Sequence, residues 1–320
     1  MLKVYFLIFL LLTSCGEKMS LNSISWLKAK NSKIYDDTGA EIQLKGVSSH
    51  GLAWYPDYYH KNSIKYLVDN WGIKVFRAAM YTEEWGGYIE NRGIVKKVDE
   101  IVQAAIELGI YVIIDWHILR DGNPTTHEKE AKEFFDIMSK KYANVPNVIY
   151  EICNEPNGYV NWRNSIKGYA ERVIPVIKSN SPNALIIVGT ATWSQSIEEP
   201  ADDPLKFDNL AYALHFYAGS HGAWLRERIN YAMSKGLTIF VSEWGVSQAN
   251  GSGGTYPEST RDWLIFLDSK KVSYVNWSLA PKAETSAILK TSARPDGKWT
   301  DEDLTSAGLM VKHLYLRKLD

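Results

Sequence analysis

Short apolar runs alternate with longer amphipathic stretches along this chain, and they do so eight times. The runs occupy residues 44–49, 73–80, 110–117, 147–156, 184–190, 210–217, 237–245 and 272–279. Each is too apolar for a strand with one wet face, which predicts strands buried on both sides, as in a parallel sheet covered by helices. Between them the period changes to that of a helix. In "VKKVDEIVQAAIELG", Val95, Val98, Ile101, Val102, Ala105 and Ile106 share one helical face, and Gly109 is placed to end the helix. "EKEAKEFFDIMSKKYA" and "WRNSIKGYAERVIPVIKSN" follow the same rule. Eight strand–helix repeats predict an α/β chain folded as a (β/α)8 TIM barrel. An open doubly wound sheet is the structural rival, but its glycine fingerprint belongs after the first strand, where "GVSSHG" stands instead. Ahead of the first run, "KAKNSKIYDDTGAEIQL" predicts a small hairpin turning near Asp37-Thr38-Gly39 and capping the barrel floor.

In such barrels the C-terminal ends of the strands build the active site. The polar residues of the runs gather there: His50, Arg77, His117, Asn154 with Glu155, His215 with Tyr217, Glu243 and Trp277. His50, His117 and His215 fit either packed core imidazoles or a zinc site of three histidines and a water. The metal reading is disfavoured. Zinc-ligating histidines usually lean on carboxylates of their own, whereas these accompany a pair of glutamates, Arg77 and aromatic residues, so no metal or organic cofactor is expected. The run "VIYEICNEPNG" sets Glu151 and Glu155 among apolar residues, although an unpaired buried carboxylate costs several kcal/mol. Glu155 ends the fourth strand and Glu243 the seventh, so the two can face one cleft. Hydrolysis of a glycosidic bond needs two such groups, one to protonate the leaving oxygen and one to attack or to activate water. Arg77 and Tyr217, close to Glu243, are expected to keep it ionised, and Glu155, in a more apolar setting beside Asn154, to hold its proton. Glu151 shares strand parity with Glu155 but lies deeper, as a structural acid paired with Arg77 or a lysine.

Composition narrows the partners. The 320 residues are 45% hydrophobic and 23% charged with a net charge of −1, so the basic excess that nucleic acid requires is missing. Without linker or low-complexity stretches, residues 21–320 read as one catalytic domain. Residues 1–18, "MLKVYFLIFLLLTSCGEK", carry one lysine, an apolar run too short to span a bilayer comfortably, and small residues before Cys15. That is a secretory signal. "LTSC" also resembles the bacterial lipobox, which implies lipidation of Cys15 and an exported, tethered protein at the cell surface or in the periplasm; an ordinary signal peptide is the alternative. Only Cys153 then remains, so no intrachain disulfide forms. His127 in "THEKEAKEFF" reads as a solvated helix start.

"NEP" at 154–156 and "SEWG" at 242–245 resemble glycoside hydrolase family 5 of clan A, the 4/7 superfamily. The similarity runs from about Ile42 onward through "GVSSHGLAWY", "FRAAMYT", "YVIIDWHIL", "VGTATWSQ", "HFYAGSHG" and "NWSL". It points to the bacterial endo-β-1,4-glucanases, the secreted cellulases. The resemblance implies Glu155 as acid/base and Glu243 as nucleophile, with Arg77, His117, Asn154, His215, Tyr217 and Trp277 at the family's other active-site positions. Asn154 would bond the sugar 2-OH, and His215 and Tyr217 would position the glutamates. His50, Trp54, Tyr81, Trp193, Lys282 and Glu284 match sugar-binding positions on the donor side. The implied activity is retaining hydrolysis of cellulose-like or mixed-linkage β-glucan by a monomer whose only membrane contact is the lipid at Cys15. Mannan, xylan or xyloglucan are alternative substrates. A non-catalytic glycan-binding barrel is the rival from another class, and it predicts a lost carboxylate. Two positions depart from the pattern: Cys153 replaces a small aliphatic residue and reads as a packed thiol, and Trp85 in "TEEWGGY" is either a sugar platform or filler at the loop base. No linker-joined cellulose-binding module is apparent, so weak attack on crystalline cellulose is expected.

Overall fold

The computed structural model of the protein describes residues 24–317. The leader at 1–18 and its Cys15 lie outside the described residues. Two short antiparallel strands come first, β1 (Lys28–Lys30) and β2 (Lys33–Tyr35). The turn between them is Asn31–Ser32, both with positive φ, which suits the right-handed twist of a hairpin. This corrects the expected turn. Asp37-Thr38-Gly39 instead closes a second reversal, held by Asp36 and ending in a bridge between Tyr35 and Glu41.

The eight apolar runs then form β3 (Lys45–Ser49), β4 (Val75–Tyr81), β5 (Tyr111–His117), β6 (Val148–Glu151), β7 (Ile186–Val188), β8 (Leu210–Tyr217), β9 (Ile239–Gly245) and β10 (Ser273–Leu279). Each pairs in parallel with the next, and β10 returns to β3, closing the barrel. Around it run α1 (Lys61–Trp71), α2 (Val95–Leu108), α3 (Glu128–Lys141), α4 (Lys167–Asn180), the single turn α5 (Ala191–Ser194), α6 (Glu198–Asp202), α7 (Ala223–Ser234), α8 (Pro257–Lys270) and α9 (Ser306–Leu316). Gly72 and Gly109 end α1 and α2 in the left-handed conformation that glycine enters without Cβ strain. The face of α2 that packs on the barrel holds Val98, Ile101, Val102 and Ala105, as its periodicity requires. His127 directly precedes α3.

Successive strand residues point in opposite directions. Outward ones such as Phe76, Ile114, Tyr150 and Leu214 join the helices in the main core. Inward ones, Val75, Ile113, Ile149, Ile187, Phe240 and Val275, fill the barrel floor, where Leu27, Ile34 and Leu44 cover them from below. The hairpin therefore caps the floor, and the inward positions above this apolar plug are free to be polar. No described helix is long and apolar enough to cross a membrane.

Candidate active site

One layer above the plug, Arg77 on β4, Asp115 on β5 and Glu151 on β6 point inward, all fully buried. The guanidinium spreads its donors over four partners. Nε donates to Glu151 Oε2 at 2.7 Å and Nη1 to Glu243 Oε2 at 3.2 Å. Nη2 reaches Asn154 Oδ1 at 2.6 Å and Asp115 Oδ2 at 3.0 Å. Glu151 is thus the structural acid paired with Arg77. Burial works against its charge, but Arg77 and His215 outweigh it and hold the carboxyl at about 2.

His215 on β8 links this layer to the cleft. Its Nδ1 lies 2.9 Å from Glu155 Oε1 and its Nε2 3.0 Å from Ser242 Oγ, whose hydroxyl donates to Glu151 Oε1 at 2.5 Å. Burial favours a neutral ring here, yet Glu151, Glu155 and Glu243 together raise it to about 9. His215 is therefore a cation at neutral pH, with both ring nitrogens donating. His117 is the opposite case. Burial, reinforced by the charges of Arg77 and His215, pushes it well down, so it is neutral. Its Nδ1 lies 2.6 Å from Asp115 Oδ2, and Asn154 Nδ2 lies 3.3 Å from its Nε2. Asp115 itself is pushed up by burial, against the pull of Arg77.

Glu243 accepts from the Tyr217 hydroxyl at 2.7 Å as well as from Arg77. Gly245, two residues on, makes room for that tyrosine, because a Cβ there would sit 2.4 Å from its ring. Arg77 and Tyr217 do favour the charged form of Glu243, but they are not the largest influence on it. Burial is the largest influence and pushes its carboxyl up, the charge of Glu155 adds to this, and His215, Arg77 and Tyr217 only offset part of it. The expected apolar setting of Glu155 is also replaced, since its nearest charged partner is the His215 imidazolium. One oxygen of Glu155, one of Glu243 and a ring nitrogen of His215 all lie within 4.8 Å of one another.

Two carboxylates and an imidazole match a metal-ligand set by residue type. With both nitrogens of His215 already donating hydrogen bonds, no lone pair faces the group. The three histidines once considered as a zinc set are likewise engaged. His117 and His215 do have carboxylate partners, as zinc-ligating histidines would, but these bind them into the network of Arg77.

The remaining predicted residues separate into two groups. His50, Trp54, Tyr81 and Trp277 join His117 in a continuous aromatic wall, with ring centroids 5.1 Å (His50–Trp54), 4.8 Å (His50–Trp277), 4.6 Å (Trp54–Tyr81) and 4.2 Å (Tyr81–His117) apart. Lys282 pairs with Glu284 and lies 3.2 Å from His50 Nε2. Together with burial, its charge lowers His50 to about 3. Trp193 is elsewhere. It lines a cavity of about 330 Å³ with Glu155, Gln195, His215, Tyr217, His221 and Asn250. Thr192, Trp193 and Ser194 all have φ between 52° and 58°, a left-handed turn that costs L residues about 1–2 kcal/mol each. The turn is tied to the Glu155 segment by Trp193 N to Pro156 O (3.0 Å) and Ser194 Oγ to Asn154 O (2.7 Å). Trp85 supports Trp54 through its carbonyl, which accepts from the indole N–H at 2.9 Å, while its own ring is exposed. It does not fill the loop base. Cys153 is buried with its thiol pushed up by burial, a packed group.

Sequence reasoning missed Asp115, Ser242, Gln195 and His221. Asp115 was legible, two residues before His117 and on the same strand face. Ser242 was not. Adjacent strand residues face opposite sides, yet Ser242 and Glu243 both point inward. β9 carries one extra residue near Ser242 against both neighbours: Phe240 pairs Ala213 but Glu243 pairs His215, and Val241 pairs Tyr274 but Trp244 pairs Asn276. This bulge re-aims Glu243 into the cleft. β6 behaves comparably. Its pairing ends at Glu151, Ile152 and Cys153 both turn outward, and Asn154 and Glu155 come back over the barrel mouth from the loop. Glu151 and Glu155 therefore do not share a strand parity.

Residues 35–283 match the family described as Cellulase (glycosyl hydrolase family 5). An endoglucanase of Clostridium saccharobutylicum is 54% identical over 287 residues, which is 89% of this chain and 64% of that protein. Endoglucanase A of Evansella cellulosilytica is 56% identical over 275 residues, 86% of this chain and 56% of its own length. The chain thus spans under two thirds of both relatives. Among solved structures, the cellulase Cel5C_n superposes with a TM-score of 0.90 at 42% identity, covering 94% of this chain and 95% of that one. The catalytic domain of a Thermobifida fusca endoglucanase in complex with cellotetraose gives 0.88 at 31% identity, covering 92% and 98%.

Proposed function

The chain belongs to the cellulase family, glycosyl hydrolase family 5, and from that premise we propose that it is an endo-β-1,4-glucanase hydrolysing internal bonds of cellulose-like or mixed-linkage β-glucans with retention. The observation that carries the mechanism is the spacing of the carboxyl pair, 4.8 Å or less between their nearer oxygens. Retaining pairs stand about 5–5.5 Å apart, whereas inverting pairs need about 6.5–9.5 Å to admit a water. Glu243 is the nucleophile: Tyr217 and Arg77 fix its two oxygens, and Arg77 and His215 favour the charge it must carry to attack. Glu155 is the acid/base. It is the more exposed of the two, it opens on the cavity lined by Trp193, and the imidazolium of His215 stands against it as a proton source.

In the first step a Glu243 oxygen attacks the anomeric carbon and the C–O bond to the leaving sugar breaks as Glu155 delivers a proton to that oxygen. In the second, Glu155 takes a proton from water, which attacks the same carbon and frees Glu243. Asn154, held by Arg77 Nη2, faces the 2-OH. The wall of His50, Trp54, Tyr81 and Trp277, with Lys282 and Glu284, receives the donor-side sugars, and Trp193 receives the first sugar on the leaving side, a change from its expected donor-side role. Export through the leader, lipidation of Cys15 and a single catalytic domain from residue 21 are part of the same reading and rest on the sequence alone.

Reducing-end release by the domain lacking residues 1–18 on carboxymethylcellulose, barley β-glucan, mannan and xylan tests the proposal. Glucan cleavage is expected, reduced at least 10²-fold in Glu155→Gln and Glu243→Gln, about the contribution of general acid–base catalysis alone. Activity confined to mannan or xylan would change the substrate, and a first product of inverted configuration would overturn the assignment of Glu243.

A further inference from the structure

Four large aromatic side chains stand exposed on the face of the barrel that carries the carboxyl pair: Trp85, Tyr159, Trp193 and Trp224. Each follows a barrel strand, in a βα loop or on the first turn of the next helix. The proposed mechanism uses only Trp193. Trp224 is the one whose surroundings hold it as a built surface. It sits on the first turn of α7, just beyond β8 with its His215 and Tyr217, and its indole is 48% exposed. The Arg228 guanidinium covers the ring at 5.2 Å from its centroid, and the His221 ring abuts it at 5.8 Å and 78°.

Both supports are themselves fixed. Arg228 Nη1 donates to Gln195 O at 3.1 Å and pairs with Glu198 at 3.3 Å. His221 Nδ1 accepts from Tyr217 N at 2.8 Å, and its carbonyl accepts from Trp263 Nε1 at 2.8 Å. Gln195 and His221 also line the cavity shared by Glu155 and Trp193. Trp224 is thus one residue further out than the cavity wall, braced by two residues that touch that wall. An indole pinned in place with half its surface open loses little rotamer freedom when something flat covers it. The apolar C–H face of a pyranose ring is such a partner, and a β-1,4-linked chain leaving the cavity past Trp193 presents one ring after another.

We propose that Trp224 is a distal platform on the leaving-group side, stacking a glucose unit beyond the one received by Trp193 and so favouring long chains over short ones. The inference rests on the β-1,4-glucanase reading. Binding energy from a remote sugar can be used at the reacting centre, so the effect should appear in kcat/KM for substrates long enough to reach it. The test is the ratio of kcat/KM for cellohexaose to that for an aryl β-cellobioside, whose single leaving ring ends before Trp224. It is compared in wild type, Trp224→Ala, Trp224→Leu and Trp224→Tyr. Leucine keeps apolar packing against Arg228 and His221 but has no flat π face. The ratio is expected to fall about tenfold in the alanine and leucine variants, the size of one good contact, and to survive in the tyrosine variant. An unchanged ratio, including equal losses on both substrates, overturns the platform alone. A wild-type protein inactive on both overturns the glucanase reading and this inference together.

Discussion

Arg77 touches three carboxylates and a carboxamide from inside a closed barrel, so its charge cannot be replaced by water. Substituting Arg77→Met would leave Asp115, Glu151 and Glu243 buried around a neutral side chain. Breaking a buried ion pair in this way typically costs about 3–5 kcal/mol. The urea midpoint of the variant should fall accordingly, and any folded fraction should lose glucan cleavage, because Glu243 Oε2 and the orientation of Asn154 depend on the guanidinium. A shift under 1 kcal/mol, obtained from unfolding curves of equal slope, would contradict this account of the layer. The importance of Arg77 was legible in the sequence, as a cation in the middle of an apolar run. Its simultaneous contact with three strands and a loop was not, since those partners lie 38 to 166 residues away.

Element geometry explains where periodicity succeeded and where it failed. The strands and long helices appeared where the apolar runs and the 3.6 period placed them, because burial on two faces or one stripe is a local constraint. The bulge in β9 and the early end of β6 broke the alternation at the two places that deliver Glu243 and Glu155 to the cleft. Nothing in "FVSEW" or "EICNEP" marks the lost parity; it follows from pairing with neighbours on either side. The helix ends give a prediction at this scale. α8 stops at Lys270, and exposed Lys271 takes the left-handed conformation that Gly72 and Gly109 take after α1 and α2. Lys271→Gly should stabilise the protein by about 1 kcal/mol, the Cβ strain relieved less the extra entropy of the unfolded chain. Chemical denaturation would register it as a higher midpoint with activity unaltered.

Over the whole molecule, the buried charges set a pH window for stability. His215 has its pKa raised from 6.5 to about 9, so its stabilising contribution is complete below about pH 6.5 and is lost as pH climbs through 9. Glu151 is lowered from 4.5 to about 2, so its contribution is complete above about pH 4.5 and is lost as pH falls through 2. These two groups contribute fully between about pH 4.5 and 6.5 and less on either side, the alkaline loss being on the order of 3 kcal/mol from His215; within that window His50 and His117, held neutral by burial, withdraw stability as pH falls, and Asp115 and Glu243, pushed up by burial, withdraw it as pH rises. Thermal midpoints across pH 3 to 10 would map this window. His215→Gln should flatten the alkaline limb, and a limb that persists unchanged in that variant would locate the titrating group elsewhere.

Local sequence already carried the order of strands and helices, the closed eightfold architecture, the two glutamates near the barrel mouth and the aromatic residues around them. Each of these depends on local period, or on which residue type ends which run, and both are written within a dozen residues. How charge is shared among Arg77, His215, Asp115, Glu151 and the carboxyl pair came from the folded arrangement, because burial and Coulomb energy are sums over groups brought together from different strands. That arrangement also decided that Ser242 and Glu243 face the same way and that Trp193 stands with Glu155 rather than with Trp54. Register in a closed sheet and the path of a loop across its mouth are fixed by long-range pairing, which no short segment encodes.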